Sequence, residues 1–341
     1  MKFGNREKSE VKTEEKTAVG AFRRFSDRLL SRYSKFDRRN FKFVYLLVAF
    51  PVIQYAIFWF YVNFDSFLLA FRTPQGTFTL ENFSSVWNAI TGTDQYGFNL
   101  LSMFGRSFLL WVLTYAVAFP IGICTTYVLF RRVCGHYVFR ICYLIPSLIG
   151  AVVWVATVKQ LVEYNGPVIY ILKQLGVPLN ESVLRNGLLG DGSTAFPTLC
   201  GISLITGMVG GNAVLTGAFS RIPGELFEVG KLDGVGFWRE FFTISVPCVW
   251  PTVSTLITFS LCSIFVLDAN VFLYSNGTGE PNMSTMGFYL YYIVYRISLA
   301  GSANLPYGYP AAVGLCITLV TLPVVLCGRW VLDKLVDPVE L

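Results

Sequence analysis

The sequence has few charged residues for its length. Asp, Glu, Lys and Arg make up 14% of its 341 residues, whereas ordinary soluble domains carry about 25%. Apolar residue types make up 54% of the chain, and the mean hydropathy is +0.54. With several long apolar runs, these proportions exclude an ordinary soluble domain and indicate a polytopic membrane protein.

Motifs for nucleotide, metal and catalytic chemistry are also missing. The chain has one histidine, His136, and its eight cysteines form no CxxC pair. It contains neither a GxxxxGK[ST] loop nor an HExxH motif. We therefore expect no catalytic residue, no metal site and no cofactor bound by this chain. The net charge of +6 lies largely near the N-terminus, which membrane orientation explains without nucleic-acid binding.

Six apolar segments are long enough to cross about 30 Å of hydrocarbon as helices. Backbone polar groups find no partner in lipid, so a spanning segment must be helical. The predicted spans are approximately residues 43–63, 107–130, 141–158, 199–219, 247–272 and 310–332. The sequence therefore predicts an all-α membrane protein with six transmembrane helices, residues 43–341, preceded by a basic segment, residues 1–42.

The basic residues predict the orientation of these spans. Six spans place both termini on one side, and the basic loops 131–140 and 221–247 fall on that side too. The positive-inside rule makes this side cytoplasmic. Within the basic N-terminal segment, apolar residues recur every three or four positions, at Phe22, Phe25, Leu29, Tyr33 and Phe36. This pattern predicts an amphipathic helix, lying either in the lipid interface or against the protein.

Residues 221–247 form a charged loop between two apolar segments. Ile222, Leu226 and Val229 recur at helical spacing and predict a short helix with one apolar face. Asp233-Gly234 is a turn dipeptide that ends this helix. A second stripe follows at Phe237, Phe241 and Ile244. The loop therefore predicts a helix, a turn and a second helix on the cytoplasmic side.

The loop also resembles the signature loop of permease subunits of ATP-binding-cassette (ABC) importers. That signature is Glu-Ala-Ala, three residues, Gly, nine residues, Ile, one residue and Leu-Pro. The residues here are Glu228-Val229-Gly230, three residues, Gly234, nine residues, Ile244, one residue and Val246-Pro247. The departures at Val229, Gly230 and Val246 are small or aliphatic. Gly230 weakens an isolated helix by about 1 kcal/mol relative to Ala.

Two further segments resemble carbohydrate importer permeases, so the resemblance covers most of the chain after about residue 100. Residues 274–281 with Thr285 look like a Leu-Thr-x-Gly-Gly-Pro…Thr segment, and residues 307–312 look like the Tyr-Gly-x-Ala-x-Ala start of the last span. Asn165-Gly166-Pro167 matches more loosely. Together these segments resemble the subfamily of carbohydrate importer permeases that contains the maltose and glycerol-3-phosphate permeases. The loop after the first span is short here, unlike the large inserted domain of the maltose permease.

The resemblance implies a type I ABC importer permease in the bacterial cell membrane. A second homologous permease subunit would complete the pathway, an extracytoplasmic binding protein would deliver a sugar or oligosaccharide, and two partner ATPases would bind ATP and Mg²⁺. The chain itself would not be an enzyme. Loop 221–247 would contact an ATPase, and the resemblance assigns this coupling role to Glu225, Glu228, Lys231, Asp233, Gly234, Ile244 and Pro247.

Residues that contact the solute are predicted from polar side chains inside spans, which are unfavourable in lipid and often face a cavity. Asn212, Asp268 and Asn270 are the candidates. The alternative is that they bond neighbouring helices. Two other functions also compete. A secondary transporter needs ionisable relays in mid-span, of which Asp268 is the main candidate, and an intramembrane enzyme needs convergent catalytic groups.

Overall fold

A computed structural model describes residues 35–73, 75–94, 97–131, 133, 135–209, 212–267, 270–275, 281–299 and 307–335. Side chains are described from residue 44 onward, except those of Leu144, Ser147 and Asn212. Most of the predicted N-terminal amphipathic helix, residues 22–34, lies outside these residues. So do Asp268 and the loop 276–280.

The described residues are predominantly helical. In chain order the helices are α1 (Lys35–Leu69), α2 (Glu81–Thr91), α3 (Leu100–Phe130), α4 (His136–Leu148), α5 (Ala151–Val162), α6 (Pro167–Gln174), α7 (Glu181–Asn186), α8 (Ala195–Val209), α9 (Asn212–Ser220), α10 (Gly224–Leu232), α11 (Phe237–Cys262), α12 (Val271–Tyr274), α13 (Met286–Leu299) and α14 (Gly308–Leu335). An isolated antiparallel bridge pairs Arg72 with Phe78.

The described chain divides into two compact units, with the boundary between Ser66 and Phe67. Most of α1 belongs to the first unit. Its large apolar side chains are exposed on every face, among them Leu46 at 76% and Tyr61 at 74%. A helix that is apolar all round requires an apolar environment, so this helix is suited to lipid.

Five helical stretches among the described residues are long and apolar enough to cross a membrane, judged by length and composition. They are Val44–Leu69, Leu100–Phe130, Ala195–Ser220, Phe237–Cys262 and Gly308–Leu335. Each has a counterpart among the six predicted spans. The fourth of them starts at Phe237 rather than near Pro247, because the second helix of the charged loop continues into the span without a break. It ends at Cys262, before the predicted end at residue 272.

The third predicted span, residues 141–158, is not one continuous helix. It is divided between α4, of 13 residues, and α5, of 12 residues. The backbone between them is extended at Ile149 (ψ 130°) and Gly150 (ψ 144°). Pro146 lacks an N–H group and glycine is a poor helix former, which favours a break here. Neither piece reaches the roughly 20 residues that a spanning helix needs.

Two of the spanning helices contain π-helical segments, Val112–Ala118 in α3 and Phe241–Ser245 in α11. Each segment ends two residues before a proline. The N–H of Phe119, just before Pro120, bonds the carbonyl of Thr114, and the N–H of Val246, just before Pro247, bonds that of Phe241. Proline offers no N–H. In both helices the residue just before the proline donates an i→i+5 hydrogen bond, and the helix continues past the proline.

The Tyr307–Ala312 segment starts α14 in a tightly packed site. A Cβ atom on Gly308 would lie 2.6 Å from the carbonyl oxygen of Arg72 and 2.6 Å from the amide nitrogen of Asn82. The Asn82 amide itself donates to the carbonyls of Ala70 and Arg72, at 2.9 and 3.1 Å. Only glycine leaves room for this approach.

A polar cluster beside this site joins α13 to α14. The Tyr289 hydroxyl donates to the Asp94 carboxylate at 2.6 Å and shares a hydrogen bond of 2.8 Å with the Tyr309 hydroxyl. Thr285 caps the start of α13, because its Oγ1 accepts the Phe288 N–H at 3.3 Å. Residues in both segments that resemble carbohydrate permeases therefore have defined packing and capping roles in this fold.

Candidate functional site

The charged loop 221–247 contains the first short helix that its sequence predicts. This helix, α10, runs from Gly224 to Leu232, and Pro223 precedes it with an extended backbone. Glu225 lies in the first turn, where the helix dipole favours an acidic side chain. Glu225, Glu228 and Lys231 are all exposed.

The buried face of α10 differs from the predicted one. Phe227 and Gly230 are buried, whereas Leu226 and Val229 of the predicted apolar face are 37% and 56% exposed. Leu232 is 87% exposed. Ile222, the third residue of the predicted face, precedes the helix and is buried. Spacing predicted an apolar face but did not decide which stripe packs against the protein, because nine residues span only about two and a half helical turns. The apolar strip Leu226, Val229 and Leu232 is thus open for contact.

The turn after α10 is a Schellman motif. Gly234 has φ +69°, a left-handed conformation that glycine adopts without steric cost. Its N–H bonds the Lys231 carbonyl at 3.1 Å, and the Val235 N–H bonds the Gly230 carbonyl at 2.9 Å. These two bonds satisfy the last carbonyls of the helix. Gly234 therefore ends α10 as the turn dipeptide predicts, and the turn has a defined geometry.

The second helix of the loop packs directly on the first. A Cβ atom on Gly230 would lie 2.9 Å from Cδ1 of Ile244, so the absence of a side chain at Gly230 lets the two helices approach closely. Ile244 lies in the π-helical segment of α11, and Pro247 follows it. Ile244 thus belongs to the same continuous helix as the fifth predicted span and contacts α10.

Glu240 is a buried carboxylate within this loop, with its side chain 4% exposed. Arg131 follows the last residue of α3 and faces it, with Nε 3.0 Å from Oε1 and Nη2 3.1 Å from Oε2. The Tyr127 hydroxyl donates to Oε1 at 2.7 Å. Both carboxylate oxygens therefore have donors, as a buried charge requires. The two-point contact of Arg131 also fixes the orientation of the pair.

Arg131 also contacts the first helix of the loop. Its guanidinium carbon lies 5.0 Å from the centroid of the Phe227 ring, within the range of a cation–π contact. Around these groups lies a buried aromatic cluster whose ring pairs include Tyr127–Phe241 at 4.8 Å and Tyr127–Phe237 at 5.0 Å. We call Tyr127, Arg131, Phe227 and Glu240 the Arg131 cluster.

A cavity of about 210 Å³ lies beside the break between α4 and α5. It is lined by Pro146, Ile149, Ala151, Trp154, Thr206, Val209 and Asn270. The buried indole N–H of Trp154 has no acceptor among the described residues. Asn270 has φ +58°, an uncommon conformation for a residue other than glycine. This predicted pathway residue therefore lines a cavity, whereas the side chains of Asn212 and Asp268 lie outside the described residues.

A second cavity, of about 320 Å³, lies on the other side of α8. Its lining contains the hydroxyl or aromatic side chains of Thr114, Tyr115, Phe119, Phe259, Ser260 and Ser263, together with Gly207 and Leu256. The Thr114 hydroxyl is buried without a hydrogen-bond partner among the described residues. A lining that contains both hydroxyl groups and aromatic faces suits a ligand with polar and apolar surfaces.

Comparison with known proteins begins with sequence. No family model matches the chain. The diacetylchitobiose uptake system permease protein NgcF of Streptomyces coelicolor is 29% identical over 183 residues, 53% of this chain and 48% of NgcF. The multiple sugar-binding transport system permease protein MsmF of Streptococcus mutans is 20% identical over 255 residues, 74% of this chain and 85% of MsmF. The match thus spans about half of NgcF's length and most of MsmF's.

Comparison of folds gives a consistent result. A crystal structure of a bacterial alginate ABC transporter, in complex with an alginate pentasaccharide-bound periplasmic protein, matches with a TM-score of 0.65 at 20% identity. The match covers 89% of this chain and 98% of the other. By sequence the chain is similar to sugar ABC transporter permeases, and its fold matches that of the alginate importer. Loop 221–247, which resembles the signature loop of such permeases, therefore lies within a fold like theirs.

Sequence reasoning missed the partners of Glu240. The sequence indicates only an orienting role for the charge of Arg131, and no motif distinguishes Tyr127 within its predicted span. A signal was present, because Glu240 lies among aromatic residues that the stripe Phe237–Ile244 predicts to be buried. A carboxylate on such a face needs a cation. Arg131 lies 109 residues before Glu240 in the sequence, so only the folded structure shows that the two residues pair.

We expect Gly234→Ala to loosen the loop. A non-glycine residue in the left-handed conformation costs about 1–2 kcal/mol, so the turn should open more often. Amide hydrogen exchange of residues 224–236 in the detergent-purified protein measures this directly, and we expect faster exchange.

The matched control is Gly236→Ala. Gly236 has φ −71° and no atom within 4 Å of an added Cβ, so exchange should stay at the wild-type rate. Equal protection of both variants would contradict the importance of the Gly234 turn.

Proposed function

We propose that the permease forms, with a second homologous permease subunit, the membrane pathway of an ATP-driven importer. An extracytoplasmic binding protein delivers a sugar or oligosaccharide, and two partner ATPases bind and hydrolyse ATP. The permease lies in the bacterial cell membrane with both termini cytoplasmic. The names of NgcF and MsmF support a sugar as the solute. The alginate transporter, crystallised with its periplasmic protein, supports a binding-protein partner.

The exposed strip on α10 is the observation that carries this proposal. Leu226, Val229 and Leu232 lie beside the exposed charges of Glu228 and Lys231. An apolar strip with a polar rim on a loop between spans is typical of a protein interaction site. In the proposed assembly, α10 lies in a groove on an ATPase. Glu228 and Lys231 make polar contacts at the edge of that groove.

The proposed coupling requires that α10 moves with the spans. Two features of the loop support this: the Schellman turn at Gly234 and the close contact of Gly230 with Ile244. Ile244 belongs to α11, which is itself one of the candidate spans. Closure of the ATPase pair would therefore displace α11 together with α10, and the spans would alternate between inward-open and outward-open arrangements.

The proposed solute pathway follows the two cavities on either side of α8. Trp154 lines one cavity with an aromatic face, and Thr114 lines the other. The Trp154 N–H and the Thr114 hydroxyl are buried and have no hydrogen-bond partner among the described residues. Hydroxylated rings suit such sites because they present hydroxyl acceptors and an apolar ring face. Asn270 is a candidate contact at the first cavity. Asn212 and Asp268 stay predictions for the same pathway.

The first experiment is gentle detergent purification of the tagged permease from its own membranes, with mass spectrometry of the proteins that accompany it. We expect a second permease, an ABC ATPase and an extracytoplasmic binding protein. Recovery of the permease alone, stable and monodisperse, would overturn the proposal and favour a self-sufficient secondary transporter.

We expect Glu228→Lys to separate ATP hydrolysis from transport. A charge reversal on the exposed face of α10 opposes docking without disturbing the buried side, so the variant should reach the membrane in normal amount. Measurement of solute uptake and ATP hydrolysis in the same reconstituted vesicles should give near-normal hydrolysis with little uptake.

Glu181→Lys is the charge-matched control, since Glu181 lies on α7 with its side chain 88% exposed. It should transport normally. Normal uptake by the Glu228 variant would count against the docking role of α10.

We expect Trp154→Phe to slow uptake of the solute carried by the co-purified binding protein. Phenylalanine keeps the aromatic face but removes the N–H, and a neutral hydrogen bond is worth about 1 kcal/mol, or roughly a fivefold change. Uptake at saturating binding protein should fall by about that factor. Trp87→Phe, at a residue 66% exposed on α2, should leave uptake unchanged. Equal uptake by both variants would remove Trp154 from the pathway.

A further inference from the structure

Arg131 is the residue at which three helices meet. It follows α3 directly, it forms an ion pair with Glu240 of α11, and its guanidinium lies 5.0 Å from the Phe227 ring of α10. The Tyr127 hydroxyl, one turn earlier on α3, bonds the same carboxylate at 2.7 Å. The Arg131 cluster therefore links both helices of the charged loop to a third, spanning helix.

Fold stability alone does not account for this ion pair. The Glu240 and Arg131 side chains are 4% and 24% exposed, and their surroundings are aromatic. A well-packed apolar pair is often as stable as a buried ion pair in such a place, or more so. A buried pair does, however, define one arrangement of its helices, because any other separates the charges in an apolar environment.

The helix that Arg131 ends also lines a cavity. Thr114 and Tyr115 of α3 belong to the lining of the 320 Å³ cavity, together with Ser260 of α11. A displacement of the loop that reached only α11 would move one wall of this cavity. The Arg131 cluster connects the loop to the opposite wall as well.

We propose that Arg131 is a positioning residue that transmits the movement of α10 to α3. Its contact with the Phe227 ring makes Arg131 move with the first helix of the loop. Its two bonds to Glu240 keep α3 and α11 in register during that movement. This inference rests on the proposed importer function. It adds a second mechanical connection to the one through the continuous helix α11.

The test compares ATP hydrolysis and solute uptake in vesicles containing the complete transporter and its loaded binding protein. Arg131→Gln removes the charge, and Phe227→Leu removes the ring while keeping the ion pair. We expect both variants to co-purify with the ATPase and to hydrolyse ATP. Uptake per ATP hydrolysed should fall roughly tenfold, a factor within the usual range of coupling between sites.

Two further variants distinguish a positioning role from a structural one. Arg131→Lys keeps the charge but loses the planar two-point contact, so its uptake per ATP should lie between wild type and Arg131→Gln. Arg185→Gln breaks an exposed pair with Glu181 and should leave the ratio unchanged. A normal ratio in assembled Arg131→Gln and Phe227→Leu transporters would overturn the proposal, as would a parallel loss of uptake and hydrolysis.

A double-mutant cycle tests the cluster independently of the partner proteins. Thermal unfolding of the purified permease is measured for Arg131→Gln, Glu240→Gln and the double variant. We expect the double variant to unfold no earlier than the less stable single variant, because the second substitution removes an unpaired charge. Additive losses would overturn the cluster itself. Absence of an ATPase from the preparation, with the cycle intact, would overturn the importer function alone.

Discussion

The lack of hydrogen-bond partners in lipid is the constraint on which the whole fold depends. It requires every spanning segment to satisfy its backbone internally, yet this chain places Pro120 and Pro247 within its long apolar helices. The π-helical segments before these prolines let α3 and α11 continue, with five-residue bonds from Phe119 and Val246. After Pro146, by contrast, the backbone becomes extended at Ile149 and Gly150, and the third predicted span is divided into two helices.

Continuity of α11 also determines what the charged loop can do. Because the second helix of the loop and the fifth predicted span are one helix, a displacement of the loop does not depend on a flexible joint. Gly230 lets the first helix lie close against Ile244, and Gly234 turns the chain between them in one geometry. The loop is thus firmly attached to α11, and the strip Leu226, Val229 and Leu232 is its exposed apolar surface.

Prediction from sequence succeeded where a local rule was strong. Long apolar runs located five of the spans, and Asp233-Gly234 located the turn, since a left-handed residue strongly favours glycine. The sequence did not decide between two equally good patterns. The nine-residue α10 carries both the stripe of Leu226 and Val229 and the stripe of Phe227 and Gly230, and only contact with α3 and α11 decides which one is buried.

By itself, therefore, the sequence determined the membrane class, the position of most spans, the helix–turn–helix loop and the resemblance to importer permeases. These properties depend on composition and on neighbours within a few residues. Tertiary structure alone decided the partners of Glu240, the exposed face of α10 and the union of loop and span in α11. The pairing of Arg131 with Glu240 joins positions 109 residues apart. A charge of either sign can be satisfied in many ways until the helices are packed.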